Sequence, residues 1–217
     1  MKLITLYWEG GLMCKKYLFL LIFGIAIIIL SGCASLNGDV PFRYQPSLVS
    51  YGKQIEKTVG LNMLEDRRPE GDVAYTKSIK DVAEKVTSKL LEDFEKSKIF
   101  REIHYPAQLD DDLIIDGTIN RFIWKFYSTP ISYIPGINLA IYFGASCYDA
   151  YGIAGITLEV KDNKTGNMLA TIEESSEIRD SYSLYNFKAG EAGAELSEAF
   201  RDVAKKLKTG LITKIAR

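Results

Sequence analysis

The longest apolar segment of the chain lies near its start, where residues 17–30 form an unbroken run of 14. Two lysines precede this run, and two small residues follow it. A membrane-spanning helix needs roughly 20 apolar residues, so the run favours a signal peptide, with a transmembrane anchor as the alternative. We predict that residues 1–32 are this signal peptide. We expect translation to start at Met13 rather than Met1, because Met13 leaves only a short basic flank before the run.

The first half of the remaining chain predicts a strand and a helix. Residues 58–64 alternate between two faces, with Met63 on the buried side, which predicts a buried first strand. A charged loop at 65–72 follows. Apolar residues then recur at three- and four-residue steps between 79 and 94. This spacing predicts a helix, which Ser78 and Asp81 begin as a capping box.

Two strand patterns occupy the middle of the chain. A short strand is predicted at 100–105 and a long strand at 113–127. Along the long strand the apolar positions change from odd to even numbers. A one-residue shift turns every side chain to the other face, so we predict a bulge near Asn120 and Arg121, or burial of both faces in succession.

The last part of the chain predicts a hairpin and a helix. Residues 155–160 alternate cleanly, and a turn at 162–166 leads into a second strand at 167–172. A polar section follows. The last helix is predicted from about residue 189 to the end, with Gly210 weakening or ending it.

This order of elements predicts an α/β fold, in which two helices pack on a mostly antiparallel or mixed sheet of about five strands. We assign it to a single domain at 55–217. Residues 33–54 are predicted to be a tether, because glycine and proline interrupt any periodic pattern there.

Charge and cysteine content narrow the possible functions. The 27 basic and 28 acidic residues leave a net charge of -1 without a basic stripe, so we expect no nucleic-acid partner. The three cysteines, Cys14, Cys33 and Cys147, form no C-x-x-C pair and lack metal-ligand spacing. We expect Cys147 to be a small buried apolar residue.

Residues 30–33 read Leu-Ser-Gly-Cys and resemble the lipobox of bacterial lipoproteins. The resemblance implies cleavage between Gly32 and Cys33, attachment of diacylglycerol to the Cys33 thiol, and acylation of its new amino group, for example with palmitate. Several acyl chains hold a protein stably on a membrane. Ala34 and Ser35 come next, and their resemblance to the sorting positions of Gram-negative lipoproteins implies the outer membrane, with the protein facing the periplasm.

Four segments of the folded part carry a second resemblance. They are 59–69, 98–103, 112–119 and 158–166. Together they resemble periplasm-facing lipoproteins related to the soluble domain of the curli secretion-channel lipoprotein, and small lipoproteins that accompany transport systems. The likeness covers residues 55–215 and implies the fold more strongly than a function. Pore-forming strands are not evident, so channel activity is not carried over.

Residues suited to catalysis are few. His104 is the one histidine of the chain, and there is no G-x-S-x-G pattern. We therefore predict no enzyme, no catalytic residues, no metal and no cofactor; a dyad of His104 with Cys147 is the remaining catalytic hypothesis. Asp110, Asp111 and Asp112 could offer carboxylates to calcium, but their spacing matches no known loop, so a solvated turn is predicted.

Residues 126–148 contain no charged side chain. Their apolar groups predict contact with the bilayer interface or with a partner protein, and the alternative is a loop folded over the core. The candidate contact residues are Ile131, Tyr133, Ile134, Ile137, Leu139, Ile141, Tyr142 and Phe143.

Two functions remain as hypotheses. The first is a membrane-anchored, non-catalytic accessory or assembly component of an envelope complex, held by its N-terminal lipid and contacting an envelope protein. The alternative is a module that binds and transports a lipid or glycolipid in the cell envelope, which requires an apolar pocket between sheet and helices.

Overall fold

A mixed sheet forms the centre of the fold in the computed structural model, which describes residues 42–46, 54–75, 79–130, 134, 139–186 and 191–216. The strands within these ranges are β1 (Ile55–Leu61), β2 (Glu65–Asp66), β3 (Phe100–His104), β4 (Leu113–Ser128), β5 (Tyr148–Asp162) and β6 (Met168–Tyr182). Their order is β3-β1-β4-β5-β6, with β2 paired to β4. The β1, β2 and β3 pairings are parallel, whereas β4, β5 and β6 are antiparallel.

The helices of the described ranges are α1 (Glu70–Tyr75), α2 (Val82–Ser97), α3 (Leu139–Tyr142) and α4 (Ala194–Ile215). The two long helices, α2 and α4, pack on one face of the sheet, where Phe94, Phe122 and Phe200 are fully buried. On the opposite face, Asn62 and Lys161 both donate hydrogen bonds to Asp116, at 2.9 and 2.7 Å, whereas Ile123 is fully buried. This arrangement confirms the predicted α/β fold on a mixed sheet.

The predicted bulge in the long strand is confirmed. The β4–β5 register shifts between Ile119 and Arg121. Because of this shift, Ile119, Phe122 and Trp124 all reach the helix-covered face and are buried, although their numbers change from odd to even.

The start of the domain differs in detail from its prediction. β1 begins earlier, at Ile55, and Met63 is 56% exposed instead of buried. The charged loop at 65–72 contains the short strand β2 and the first residues of α1. The capping box was wrong: α2 begins only at Val82, and Asp81 precedes it with φ 54° and no side-chain cap hydrogen bond. Ser78 lies outside the described residues.

No strand was predicted in the polar section after residue 172, but residues 173–182 form the larger part of β6. β6 is an edge strand, so its polar residues face solvent and hide the strand pattern. Two lysines of α4 reach this strand: Lys206 donates to the carbonyl of Ser175 at 3.2 Å and Lys214 to that of Thr171 at 2.6 Å.

The last helix passes through Gly210 and does not end there. A Cβ at Gly210 would lie 2.9 Å from Cγ2 of Ile172, so the missing side chain allows α4 to lie close to β6.

The described part of the predicted tether, residues 42–46, is folded against the domain. The Phe42 ring lies 5.0 Å from that of Phe122 and 5.1 Å from that of Phe200, and Tyr44 is buried. The Tyr44 hydroxyl donates to Asp93 at 2.7 Å. Aromatic side chains thus hold this segment between α2 and α4.

A buried ion pair lies beneath the same segment. Lys208 Nζ of α4 is 2.6 Å from Asp93 Oδ2 of α2 and also donates to Ser97 Oγ at 2.8 Å. The Lys208 and Asp93 side chains are 1% and 0% exposed. The pair therefore joins the two long helices inside the core.

Candidate contact surface at one end of the sheet

The end of the sheet at which β4 ends and β5 begins carries the candidate site. Two backbone hydrogen bonds close this end: Thr129 N donates to the Cys147 carbonyl, and Cys147 N donates to the Tyr182 carbonyl, both at 2.8 Å. The chain segments beyond these residues therefore lie past the last strand pairs.

Five exposed side chains gather there, and we call them the apolar tip: Leu139, Tyr142, Phe143, Leu184 and Tyr185. Phe143 is 90% exposed and Tyr142 is 64% exposed. The tip has two sequence origins, since three residues come from the β4–β5 connection and two follow β6. The Tyr185 hydroxyl joins them by donating to the Tyr142 carbonyl at 2.8 Å.

The tip rests on a supported base. Ile141 is buried beneath it, although it was predicted among the contact residues. Stacked rings continue from the core toward the strand ends: Trp124 on Phe126 at 5.8 Å, and Phe126 on Tyr148 at 5.1 Å. The exposed side chains are thus presented by a packed structure.

The structure brings together three of the predicted contact residues: Leu139, Tyr142 and Phe143. Ile134 is 45% exposed. The other predicted residues of this site, Ile131, Tyr133 and Ile137, lie outside the described residues, as do Gly32 and Cys33. Sequence reasoning missed Leu184 and Tyr185, and the available signal was an apolar pair within a polar section.

An ion pair joins β5 and β6 near the tip. Arg179 donates to Asp149 at 2.8 Å, and its guanidinium lies 4.8 Å from the centroid of the Tyr151 ring. Hydrogen bonds from Ser181 and Arg179 lower the pKa of Asp149.

The N-terminus of α4 is fixed to the sheet close to the tip. Buried Glu195 accepts hydrogen bonds from Trp124 Nε1 at 2.7 Å and from the Tyr182 hydroxyl. Burial and the bond to Glu195 raise the pKa of Tyr182. A Cβ at Gly152 would lie 2.1 Å from backbone atoms of Glu195 and Leu196, so the helix start touches β5 directly.

The opposite end of the sheet holds His104 and Asp111. His104 Nδ1 lies 2.6 Å from Asp111 Oδ1, and its Nε2 lies 3.2 Å from Glu102. Asp111 is 1% exposed and accepts a hydrogen bond from Gln108 N, so the prediction of a solvated turn was wrong for this residue. Asp111 and Glu102 raise the pKa of His104.

The structure does not bring His104 and Cys147 together. His104 is in register with Gly60 of β1, which is in turn paired with Ile114 of β4. Cys147, in contrast, accepts a hydrogen bond from Thr129, just beyond the other end of β4. At about 3.3 Å per residue, these levels on β4 are on the order of 45 Å apart. Cys147 is buried, as predicted, and burial raises the pKa of its thiol. Within the described ranges, no three His, Cys, Asp or Glu side chains are placed to hold a metal ion.

The His104 contacts predict a pH-dependent stability. Folding raises the pKa of His104 above its unfolded value of 6.5. The contacts of protonated His104 with Asp111 and Glu102 therefore stabilise the fold fully below pH 6.5, and this stabilisation is lost as the pH rises through the pKa of His104 in the folded chain. We expect urea midpoints to fall over this range, and His104→Asn to remove that part of the dependence. The imidazole protons of this single histidine can be followed by NMR; titration at the ordinary pKa would contradict the prediction.

Comparisons with known proteins give structural likeness alone. No family model matches the chain, and no curated protein matches it. Among solved structures, it is similar to a Xanthomonas campestris protein of the DUF330 family, with 9% identity, a TM-score of 0.47, and coverage of 79% of this chain and 91% of that one. It is also similar to lipoprotein GNA1162 of Neisseria meningitidis, with 12% identity, a TM-score of 0.34, and coverage of 68% and 98%.

A third similar structure is the LpoB C-terminal domain of Salmonella enterica, with 5% identity, a TM-score of 0.33, and coverage of 58% and 87%. Bacterial lipoproteins are thus among the structures that this chain resembles. At these scores the likeness carries no argument about activity, and the curli-channel resemblance remains a prediction. None of the described helices has the length and apolar content needed to cross a membrane.

Proposed function

We propose that this chain is a lipid-anchored, non-catalytic accessory component of an envelope complex, facing the periplasm from the outer membrane. The Leu-Ser-Gly-Cys sequence at 30–33 supports the anchor. The apolar tip is the observation that carries the accessory role. Contiguous exposed apolar side chains are uncommon on soluble domains without a contact to make. The distance of His104 from Cys147 supports the absence of catalysis by that dyad.

Anchoring and assembly are tested together in cells. Cells grown with a palmitate analogue should label the wild-type chain and leave a Cys33→Ser variant unlabelled. Chemical crosslinking followed by affinity capture should recover the same envelope proteins repeatedly with the wild type, and far less of them with Cys33→Ser. An unlabelled wild-type chain, or a labelled chain that captures no envelope protein, would contradict the proposed function.

The role of the tip is tested by a triple variant, Leu139→Ser, Tyr142→Ser and Phe143→Ser. The buried Ile141 is left in place so that the base of the tip stays packed. We expect capture of the envelope partners to fall severalfold, because the contact made by the tip holds the domain in the orientation in which those partners bind it. The matched control replaces exposed apolar residues elsewhere, Met63, Leu109 and Met168, with serine. Equal capture by both triple variants would remove the tip from the function.

The alternative function, carriage of a lipid or glycolipid, requires an apolar cavity between sheet and helices. Where the structure describes that interface, it is filled by Phe94, Phe122 and Phe200. A concavity of about 310 Å³ does lie at the start of α4, but charged side chains such as Arg43, Glu198 and Arg201 line it. No observation on the described residues therefore favours the carrier.

A further inference from the structure

We propose that the apolar tip lies in the interfacial layer of the same membrane that holds the Cys33 anchor. The strands of the sheet then point toward the bilayer, and the end carrying His104 and the turn at 162–166 faces away from it. This inference rests on the anchored function proposed above. It adds the identity of the surface that the tip meets.

The length of chain between the anchor and the domain supports this orientation. Nine peptide steps separate Cys33 from Phe42, the first described residue. A fully extended chain covers about 3.3–3.6 Å per residue, so this segment reaches at most about 32 Å. The anchored membrane therefore lies within that distance of Phe42.

Phe42 is fixed nearer to the tip end of the sheet than to the other end. Its ring lies 5.0 Å from that of Phe122 on β4. From Phe122 to Ser128, where the strand ends beneath the tip, is about 20 Å at 3.3 Å per residue. From Phe122 back to Leu113 is about 30 Å. The connecting segment is therefore about 10 Å longer than the distance to the strand end beneath the tip, whereas the opposite strand end would require it to be almost fully extended.

The chemistry of the tip fits the interface of a bilayer. Tyrosine and other aromatic residues are favoured at that depth, where one part of the ring is apolar and the hydroxyl stays near water. The tip combines two tyrosines with Phe143, Leu139 and Leu184. Residues 126–148 contain no charged side chain, so no ion has to leave water when the β4–β5 part of the tip enters the layer.

A protein partner fits these features less well. Stable protein interfaces surround their apolar centre with a polar rim and include about one hydrogen bond for each 100–200 Å². The Tyr185 hydroxyl already donates within the tip, and Phe143 is 90% exposed. Attraction through apolar and aromatic groups alone also predicts that neutral lipids suffice, since anionic lipids act on basic residues.

The test places a fluorescent reporter at each end of the sheet in the full lipidated chain, reconstituted in phosphatidylcholine vesicles. One variant is Phe143→Trp in the tip. Its matched control is Leu109→Trp, because Leu109 is fully exposed near the opposite end of the sheet. Trp124 is common to both variants. With lipids brominated near the headgroup, we expect roughly twofold stronger quenching of Phe143→Trp, because only that indole lies in the brominated layer. Added anionic lipid or high salt should leave the difference unchanged.

The outcomes separate the inference from the function on which it rests. Flotation with the vesicles reports the anchor, and quenching reports the tip. A chain that floats but shows equal quenching at both positions overturns the inference alone and points to a protein occupant. A chain that does not float overturns the anchor and the inference together. If Phe143→Trp lowers the thermal midpoint, Tyr142→Trp replaces it as reporter. Stronger quenching of Tyr142→Trp than of Leu109→Trp then supports the inference, and equal quenching overturns it.

Discussion

Replacing Lys208 with methionine is expected to lower the free energy of unfolding by about 3–5 kcal/mol. Lys208 Nζ lies 2.6 Å from Asp93 Oδ2, and both side chains are buried. Methionine fills nearly the same space but removes the positive charge, so the Asp93 carboxylate remains in the core without its counter-ion. Urea unfolding of residues 35–217 measures the loss, because this fragment contains the whole compact unit that begins at Asp39.

Two further variants define what the loss means. The double variant Lys208→Met with Asp93→Leu removes both charges, and we expect it to recover most of the stability, since apolar replacements of buried ion pairs are often close to neutral. Lys206→Met removes an exposed lysine of the same helix, which pairs with Asp202, and should cost about 0–1 kcal/mol. If Lys208→Met were no less stable than Lys206→Met, this would contradict the claim that Lys208 compensates the buried charge of Asp93.

Gly152→Ala is expected to cost about 3 kcal/mol, at the upper end of the usual penalty for overpacking. The added Cβ would lie 2.1 Å from the carbonyl carbon of Glu195 and from the amide nitrogen of Leu196. These are backbone atoms of the first turn of α4 and cannot rotate away. The helix must therefore shift, and the hydrogen bond from Trp124 to Glu195 should weaken. Urea unfolding gives the energy, and the near-ultraviolet circular dichroism of Trp124 reports the displaced helix.

Gly71→Ala is the matched control for this substitution. Gly71 lies in α1 and has no heavy atom within 4 Å of an added Cβ. Alanine favours a helix over glycine by about 1 kcal/mol, so the control should be neutral or slightly stabilising. Equal midpoints for Gly152→Ala and Gly71→Ala would contradict the direct contact between α4 and β5.

Elements with a strong periodic pattern could be predicted from the sequence. The two long helices and β4 each carry apolar residues at a regular spacing, and the change of phase in β4 was enough to locate its bulge. Patterns failed where exposure hides them. Residues 173–182 of β6 belong to an edge strand and are mostly polar, so they lack the alternation by which a half-buried strand is recognised.

The candidate site was predictable only in part, because burial of individual side chains depends on distant partners. Asp111 was predicted to be solvated, yet His104 and Gln108 come from earlier positions to bind it. The apolar tip was likewise predictable only in part. The uncharged segment 126–148 indicated the part of the tip that lies between β4 and β5. Tyr185 belongs to the tip because it contacts Tyr142, which is distant in sequence, and a local pattern cannot show such a contact. The same holds for Leu184 beside it.

The two lysines that reach β6 bear on how many copies of this chain can share one surface. An unpaired sheet edge is a template on which another chain can add a strand, and charged groups beside the edge oppose such growth. Lys206 and Lys214 place ammonium groups on the carbonyls of Ser175 and Thr171. Proteins confined to a membrane plane collide far more often than the same number of molecules free in solution. On the membrane proposed here, these lysines would discourage crowded neighbours from fusing edge to edge into fibrils.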